Sequence, residues 1–300
     1  MRPLRAWLVY LGLVFVIGAL LAPWLYDWVQ AGARHLSGLE NTARSPFHRF
    51  VNRSVLLVAL AGLFPLLRYL GIVSWAQLGL VRSPGEWNEA GRGFAVGFVS
   101  LACIALLTVG LGAREFSADR PPMEWVRHLL NAGAAALGAG ILEEVMFRGA
   151  LFGSLRREHR WEVALVVSSL VYAWLHFFSS VPWTEPVDWT AGLVILGRMM
   201  RGLVEVKAMV PGFVNLALAG SLLALAFQRM GTLHFSIGVH VGWIFWLKTY
   251  GFFTREHEGA NVWFWGTNRL LDGWVASVVL ALTLWGLHKS MPPGGRPRIP

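Results

Sequence analysis

Apolar runs long enough to cross a hydrocarbon core, which takes about 20 residues, alternate with short polar connectors along almost the whole chain. Eight such runs are read: Ala6–Trp28, Ser54–Trp75, Phe94–Leu111, Trp125–Met146, Glu162–Phe178, Pro211–Met230, Leu233–Phe253 and Leu271–Leu287. Proline, glycine and charge punctuate the connectors at Arg82-Ser83-Pro84-Gly85 and Asp119-Arg120-Pro121-Pro122. The longest connector, Ser179–Val210, holds Trp183, Trp189 and the apolar stretch Gly192–Met200, and is expected to lie along the membrane surface. The tail Met291–Pro300, rich in proline and glycine, cannot hold a helix and is expected to be disordered. No repeat is visible and no soluble domain is set off. The pattern predicts an all-α polytopic membrane protein with about eight transmembrane helices.

Composition strengthens that reading. Of 300 residues, 55% are hydrophobic and 14% charged, against roughly 25% charged in soluble domains; the mean hydropathy is +0.52. Many of the 16 tryptophans, among them Trp24, Trp28, Trp75, Trp125, Trp161 and Trp285, stand at the ends of apolar runs, where interfacial aromatic belts form. The formal charge of +9 does not indicate nucleic-acid binding, because the basic residues are scattered singly between apolar runs. A single cysteine, Cys103, leaves neither a disulfide framework nor a thiolate metal cluster. Arg2 and Arg5 before the first run, with Ala31-Gly32-Ala33 after it, imitate a signal peptide. The run is longer than the roughly 7–15 residues of a signal core, so a retained first span is expected. Lysines and arginines divide evenly between the two sides, and only the basic connector Arg148–Arg160 favours a cytoplasmic N-terminus.

Ionisable residues inside apolar runs are costly and usually functional. The fourth run opens with the small residues Ala132, Gly133, Ala136 and Gly140, spaced for close helix approach. It closes on Glu143 and Glu144, which sit about 100° apart on a helix and so face different surroundings. Arg148 follows Glu144 by four residues in the order that favours an ion pair. The fifth run places Tyr172 and His176 on one face, one turn apart. In the seventh run His240 lies deep, after Gly238, while His234 stands at the start, where interfacial exposure is expected. A carboxylate with two imidazoles either polarises water as a general base with an electrophilic partner or holds a zinc-type divalent metal through Glu143, His176 and His240. Both options stand at this point. No H-E-x-x-H zinc helix, Gly-x-Ser-x-Gly elbow or glycine-rich phosphate loop occurs.

Glu143-Glu144-x-x-x-Arg148 with Gly149 behind it, then Tyr172-x-x-x-His176, then His240 after Ser236-Ile237-Gly238, resembles the CPBP family of intramembrane proteases. This is the CAAX-protease and bacteriocin-processing group, also called Abi. The likeness covers roughly Trp125 to Leu247, with all three motifs in order. It divides the chain into an N-terminal block of about three spans (1–120), a protease-like core (125–250) and a last helix with a basic tail (251–300). The resemblance implies hydrolysis of a peptide bond in a membrane protein or peptide that is anchored, lipid-modified or C-terminally sorted. Glu143 would activate water with His176, Glu144 and Arg148 would brace the first motif, and His240 would stabilise the oxyanion or bind metal. Both a metalloprotease and a metal-free glutamate mechanism are described for the group. The expected setting is a multi-pass protein in a bacterial inner (plasma) membrane.

Two positions depart from the family pattern. Tyr172 stands where phenylalanine is usual, and Ile244 stands four residues after His240, where asparagine is usual. An isoleucine donates nothing to an oxyanion, so Asn215 on the sixth run is a candidate replacement. The same departure motivates a second reading, a catalytically weak or inactive relative serving bacteriocin immunity or peptide export by binding. An ion-coupled transporter is a third, disfavoured because no paired halves or broken repeats are visible.

Overall fold

The structure is a computed structural model describing residues 2–82, 84–117, 119–177, 181–201 and 206–292. Readings made at Ser83, at Phe178 and in the tail from 293 onward lie outside the described residues. In chain order the main elements are α1 (Arg2–Ala33), α2 (Phe47–Tyr69), α3 (Glu86–Gly110), β1 (Arg114–Phe116), α4 (Pro122–Glu158), α5 (Trp161–Leu175), α6 (Ala191–Arg201), α7 (Val206–Met230), α8 (His234–Phe253), β2 (Thr254–Glu256) and α9 (Trp274–Ser290). Each expected run is mostly helical among the described residues, and the protein is an all-α polytopic membrane protein. Five helices among the described residues are long and apolar enough to cross a membrane: Arg2–Ala33, Phe47–Tyr69, Glu86–Gly110, Pro122–Glu158 and Met209–Met230. The other three expected spans fall short for visible reasons. Helices α5 and α9 have only 15 and 17 residues, and the histidines, lysine and glycines of α8 lower its hydropathy. Large apolar side chains face outward on α1, α3, α4, α5 and α9, among them Leu13, Leu106, Leu130, Val166 and Leu282. Contiguous exposure of this kind marks a lipid-facing surface.

The fourth run is longer than its hydropathy suggested. Rather than ending near Met146 in a basic connector, α4 passes from α-helix at Glu144 into a π-helical segment, Val145–Phe152, and closes as α-helix over Gly153–Glu158. Arg148 therefore lies inside a helix and is buried, which withdraws it from the count of topology signals.

The chain gathers into two compact units, Met1–Val73 with Phe177–Val206, and Ser74–His176 with Lys207–Pro300. In the first, α6 packs its Ala191, Ile195 and Met199 against Ala22, Phe47, Phe50 and Val51 of α1 and α2. A Cβ on Gly192 would collide with the Ala19 carbonyl, so α6 presses on the middle of α1. One face of this stretch is thus filled by neighbouring helices, while Leu193, Val194 and Met200 on its other side stay exposed. Asp188 caps the start of α6, accepting from the Thr190 hydroxyl and from the Thr190 and Ala191 amides. Those bonds, the Thr190 hydroxyl first, hold its carboxyl below the usual carboxylate range.

In the second unit α3 and α8 interlock through facing glycine pairs. A Cβ on Gly93 would strike the Phe235 carbonyl, one on Gly97 the Val239 carbonyl, and one on Gly238 the Ala90 carbonyl. Two G-x-x-x-G faces thus meet backbone to backbone, which small residues permit and larger ones forbid. Polar ties lock the pair: Trp243 Nε1 donates to Ser100 Oγ at 2.8 Å, and the Thr108 and Tyr250 hydroxyls lie 2.6 Å apart. Around this axis Leu222, Leu223 and Ala226 of α7 and Ala276 and Leu280 of α9 complete the core. At the ends of α3 and α8, β1 and β2 pair antiparallel with Arg114 opposite Glu256.

Helix α4 reaches α8 through Ala132, Ala136 and Gly140. The first two are buried, and a Cβ on Gly140 would sit 2.8 Å from Val241 Cγ2. Gly133 differs from its expected role, since nothing lies within 4 Å of a Cβ there. Replacing Gly97 by leucine should therefore force α3 from α8 and cost about 1–3 kcal/mol or more. Gly133→Ala should be neutral or gain up to about 1 kcal/mol from helix propensity. Thermal unfolding of the two purified variants in one detergent checks the contrast.

Candidate active site

Three helices of the second unit supply the ionisable groups, and each reaches the centre for a local reason. Gly238 and Gly242 flank His240, so α8 lies flush on α3 and turns the imidazole the other way, toward α4. Gly140 lets Val241 come close, which fixes the separation of α4 and α8 just before Glu143. The π-helical widening begins one residue after Glu144, and such insertions are frequent at functional sites. Helix α5 ends at Leu175, so His176 is its C-cap, and its ring is set by the Tyr172 carbonyl one turn back.

The inner layer is sealed. Glu144 is 0% exposed and Arg148 2%. Arg148 Nη1 stands 3.0 Å from Glu144 Oε1, its Nη2 donates to the Gly220 carbonyl at 3.4 Å, and its guanidinium lies 4.4 Å over the Tyr172 ring. The same Glu144 oxygen accepts from His240 Nδ1 at 3.0 Å. A carboxylate has only lone pairs to offer, so Nδ1 of His240 carries the proton and Nε2 faces outward without one in the neutral ring.

The outer layer is partly open. Glu143 and His176 are 28% and 32% exposed, whereas His240 is only 4% exposed. His176 Nδ1 donates to the Tyr172 carbonyl at 2.8 Å, which again leaves Nε2 as the bare nitrogen. Both bare nitrogens stand 3.5 Å from the same atom, Glu143 Oε2. That oxygen is buried and makes no hydrogen bond. Two of these acceptors, Glu143 Oε2 and His176 Nε2, face each other with no hydrogen between them, an arrangement that calls for a proton, a water or a cation. The third, His240 Nε2, accepts from the Tyr172 hydroxyl at 3.4 Å.

All five residues expected at the site, Glu143, Glu144, Arg148, His176 and His240, come together. Tyr172, in the sequence only a mild departure from phenylalanine in the second motif, lies beside them through its hydroxyl. Asn215 does not join them. Its Nδ2 donates to the carbonyls of Leu271 and Gly273, and its Oδ1 accepts from Ser277, so every polar atom is committed to anchoring α9. Ile244 is buried one turn beyond His240 and adds no polar group. His234, at the start of α8, stands apart from this cluster and faces Glu86 at 3.7 Å with 18% exposure.

Whether a metal fits depends on the donors. Two imidazole nitrogens and a carboxylate oxygen are a zinc-type set. Zinc bonds of about 2.0–2.1 Å at tetrahedral angles place ligand atoms roughly 3.3–3.4 Å apart, close to the two 3.5 Å separations from Glu143 Oε2. The donor types, these two separations and the orphaned oxygen suit such an ion. Among the described residues, no group of three His, Cys, Asp or Glu side chains is drawn in to a full metal-holding arrangement.

Residues 125–246 match the family model described as type II CAAX prenyl endopeptidase, Rce1-like. The match spans all three motifs and agrees with the resemblance read from them, a CPBP-family intramembrane protease. No curated protein and no solved structure matches the chain.

The sealed layer makes a direct prediction. Arg148→Met strips the charge partner from a fully buried Glu144 and should cost about 3–5 kcal/mol. Adding Glu144→Gln to Arg148→Met should recover much of that loss, because the stranded charge is gone. Thermal midpoints of the single and double variants measure both effects.

Proposed function

We propose, on the premise that residues 125–246 are an Rce1-like type II CAAX prenyl endopeptidase domain, that Glu143 is the base of a water-activating peptide hydrolase. Its substrates are the ends of membrane-anchored, lipid-modified or C-terminally sorted proteins. The observation that carries this reading is the meeting of His176 Nε2 and His240 Nε2 at the unbonded Glu143 Oε2, each 3.5 Å away, at the partly open edge of an otherwise sealed cluster.

Each residue then has one task. Glu143, with His176 beside it, takes a proton from water as the oxygen adds to the scissile carbonyl carbon. The Tyr172 hydroxyl donates to the developing oxyanion, filling the place that Ile244 leaves without a donor. His240 joins it as a second donor when its Nε2 is protonated. The Glu143 carboxyl returns its proton to the leaving nitrogen, the C–N bond breaks, and an acid and an amine depart. Glu144 holds the His240 ring through Nδ1, and Arg148 balances the Glu144 charge. A zinc-type ion held by Glu143, His176 and His240 would supply Lewis-acid polarisation and a more acidic water at the same spot. Metal content of the purified protein, with turnover before and after chelation, separates that route from the metal-free one.

Glu143→Gln keeps shape and removes the base. It should lower turnover of a membrane-anchored peptide in proteoliposomes by roughly 10²–10⁴-fold with an unchanged thermal midpoint. Undiminished turnover in the folded variant would overturn the reading. Tyr172→Phe should lower kcat by about 10²–10³-fold with little change in KM. A full-rate Tyr172→Phe enzyme beside an inactive Glu143→Gln enzyme would reject the tyrosine's role alone. If both variants also leave the biological phenotype intact, the binding-only reading replaces the enzyme.

A further inference from the structure

Helices α1 and α2 in the first unit run antiparallel and are pressed together at one level. A Cβ on Gly18 would lie 2.6 Å from Val55 Cα, so the backbones all but touch there. Farther along, Tyr10 donates its hydroxyl to the Ala59 carbonyl at 2.6 Å and spans the gap as a crossbar. Beyond it the facing residues are small or lack an N–H: Ala6, Gly62 and Pro65. The helices therefore leave a groove of about 580 Å³ between them. Its walls are apolar, with Val9, Leu13, Ile17 and Val58 along its length, and Arg2 and Arg5 stand at one end beside Tyr69.

We infer that this groove is a binding site for one anionic phospholipid, its acyl chain along α1 and its phosphate on Arg2 and Arg5. Three observations select that occupant. Both walls are helices long and apolar enough to cross a membrane, and Val9, Leu13 and Ile17 remain exposed, so the groove opens toward hydrocarbon. From Arg2 to Ile17 the helix rises about 22 Å at 1.5 Å per residue, which exceeds the roughly 15 Å of hydrocarbon in one leaflet. A single chain fits within it lengthwise. At the mouth, neither Arg2 nor Arg5 has an acidic partner among the described residues, and two exposed guanidinium forks present several donors suited to phosphate oxygens. A zwitterionic lipid would bring its own cation to that mouth and lose the advantage. Basic pockets between transmembrane helices are a recurrent way of holding acidic headgroups.

The test uses the full chain in nanodiscs of phosphatidylcholine doped with phosphatidylglycerol. Native mass spectrometry should show one phosphatidylglycerol retained per protein, preferred about thirtyfold over phosphatidylcholine as two basic contacts imply. Arg2→Gln with Arg5→Gln should abolish the preference while the protein stays folded, since both side chains are exposed. Gly62→Leu should fill the groove and remove the retained lipid of either kind. Inorganic phosphate should neither compete nor raise the thermal midpoint, because a free anion lacks the chain. Equal retention of the two lipids by the wild type, or an unchanged preference in the arginine variant, would overturn the proposal. Should Gly62→Leu fail to fold, the arginine variant alone decides it.

Discussion

One buried oxygen organises the candidate site of this protein. Glu144 Oε1 is ion-paired with Arg148 Nη1 and accepts from His240 Nδ1, both at 3.0 Å, in a place with no solvent exposure. A charge buried that deeply survives only if it is paired and hydrogen-bonded, so α4 and α8 are held at one separation. The pairing also decides the chemistry around it. With Nδ1 of His240 committed to Glu144, only Nε2 is left to face Glu143. Glu143, one residue earlier and about 100° around the helix, is thereby released from structural duty.

The fold supplies that separation by removing side chains rather than adding them. Gly93 and Gly97 on α3 meet Gly238 and Gly242 on α8, and Gly140 on α4 meets Val241. Lipid gives little hydrophobic drive for helix association, so close van der Waals contact and a few buried hydrogen bonds carry the packing. The Trp243–Ser100 and Thr108–Tyr250 bonds are of this kind. Rigid helices on both sides then hold the histidine and carboxylate at defined distances, as a catalytic constellation requires.

Much of this was legible in the chain. Hydrophobic runs located the helices, and the Glu144–Arg148 spacing announced its ion pair. Three spans with one ionisable motif each pointed to a shared centre, which forms from the expected residues. Other features were not legible, for physical reasons. The π-helical turn after Glu144 leaves no mark in hydropathy, so Arg148 read as a connector residue. Asn215 looked like a spare donor because sequence carries no record of the Leu271 and Gly273 carbonyls that occupy it. Tyr172 looked like a mild departure from phenylalanine because its hydroxyl gains meaning only beside His240. The glycine pairs of α3 and α8 lie far apart in sequence, and nothing local says that they meet.

The central claim is that Glu143 activates the water that cleaves a peptide bond beside the membrane. Cleavage of a membrane-anchored peptide in ¹⁸O-enriched water, by wild type and Glu143→Gln in identical proteoliposomes, tests it most directly. The account predicts one ¹⁸O in the newly formed carboxyl terminus from the wild type and almost no product from the variant. Product without ¹⁸O, or equal labelled product from Glu143→Gln, would contradict it.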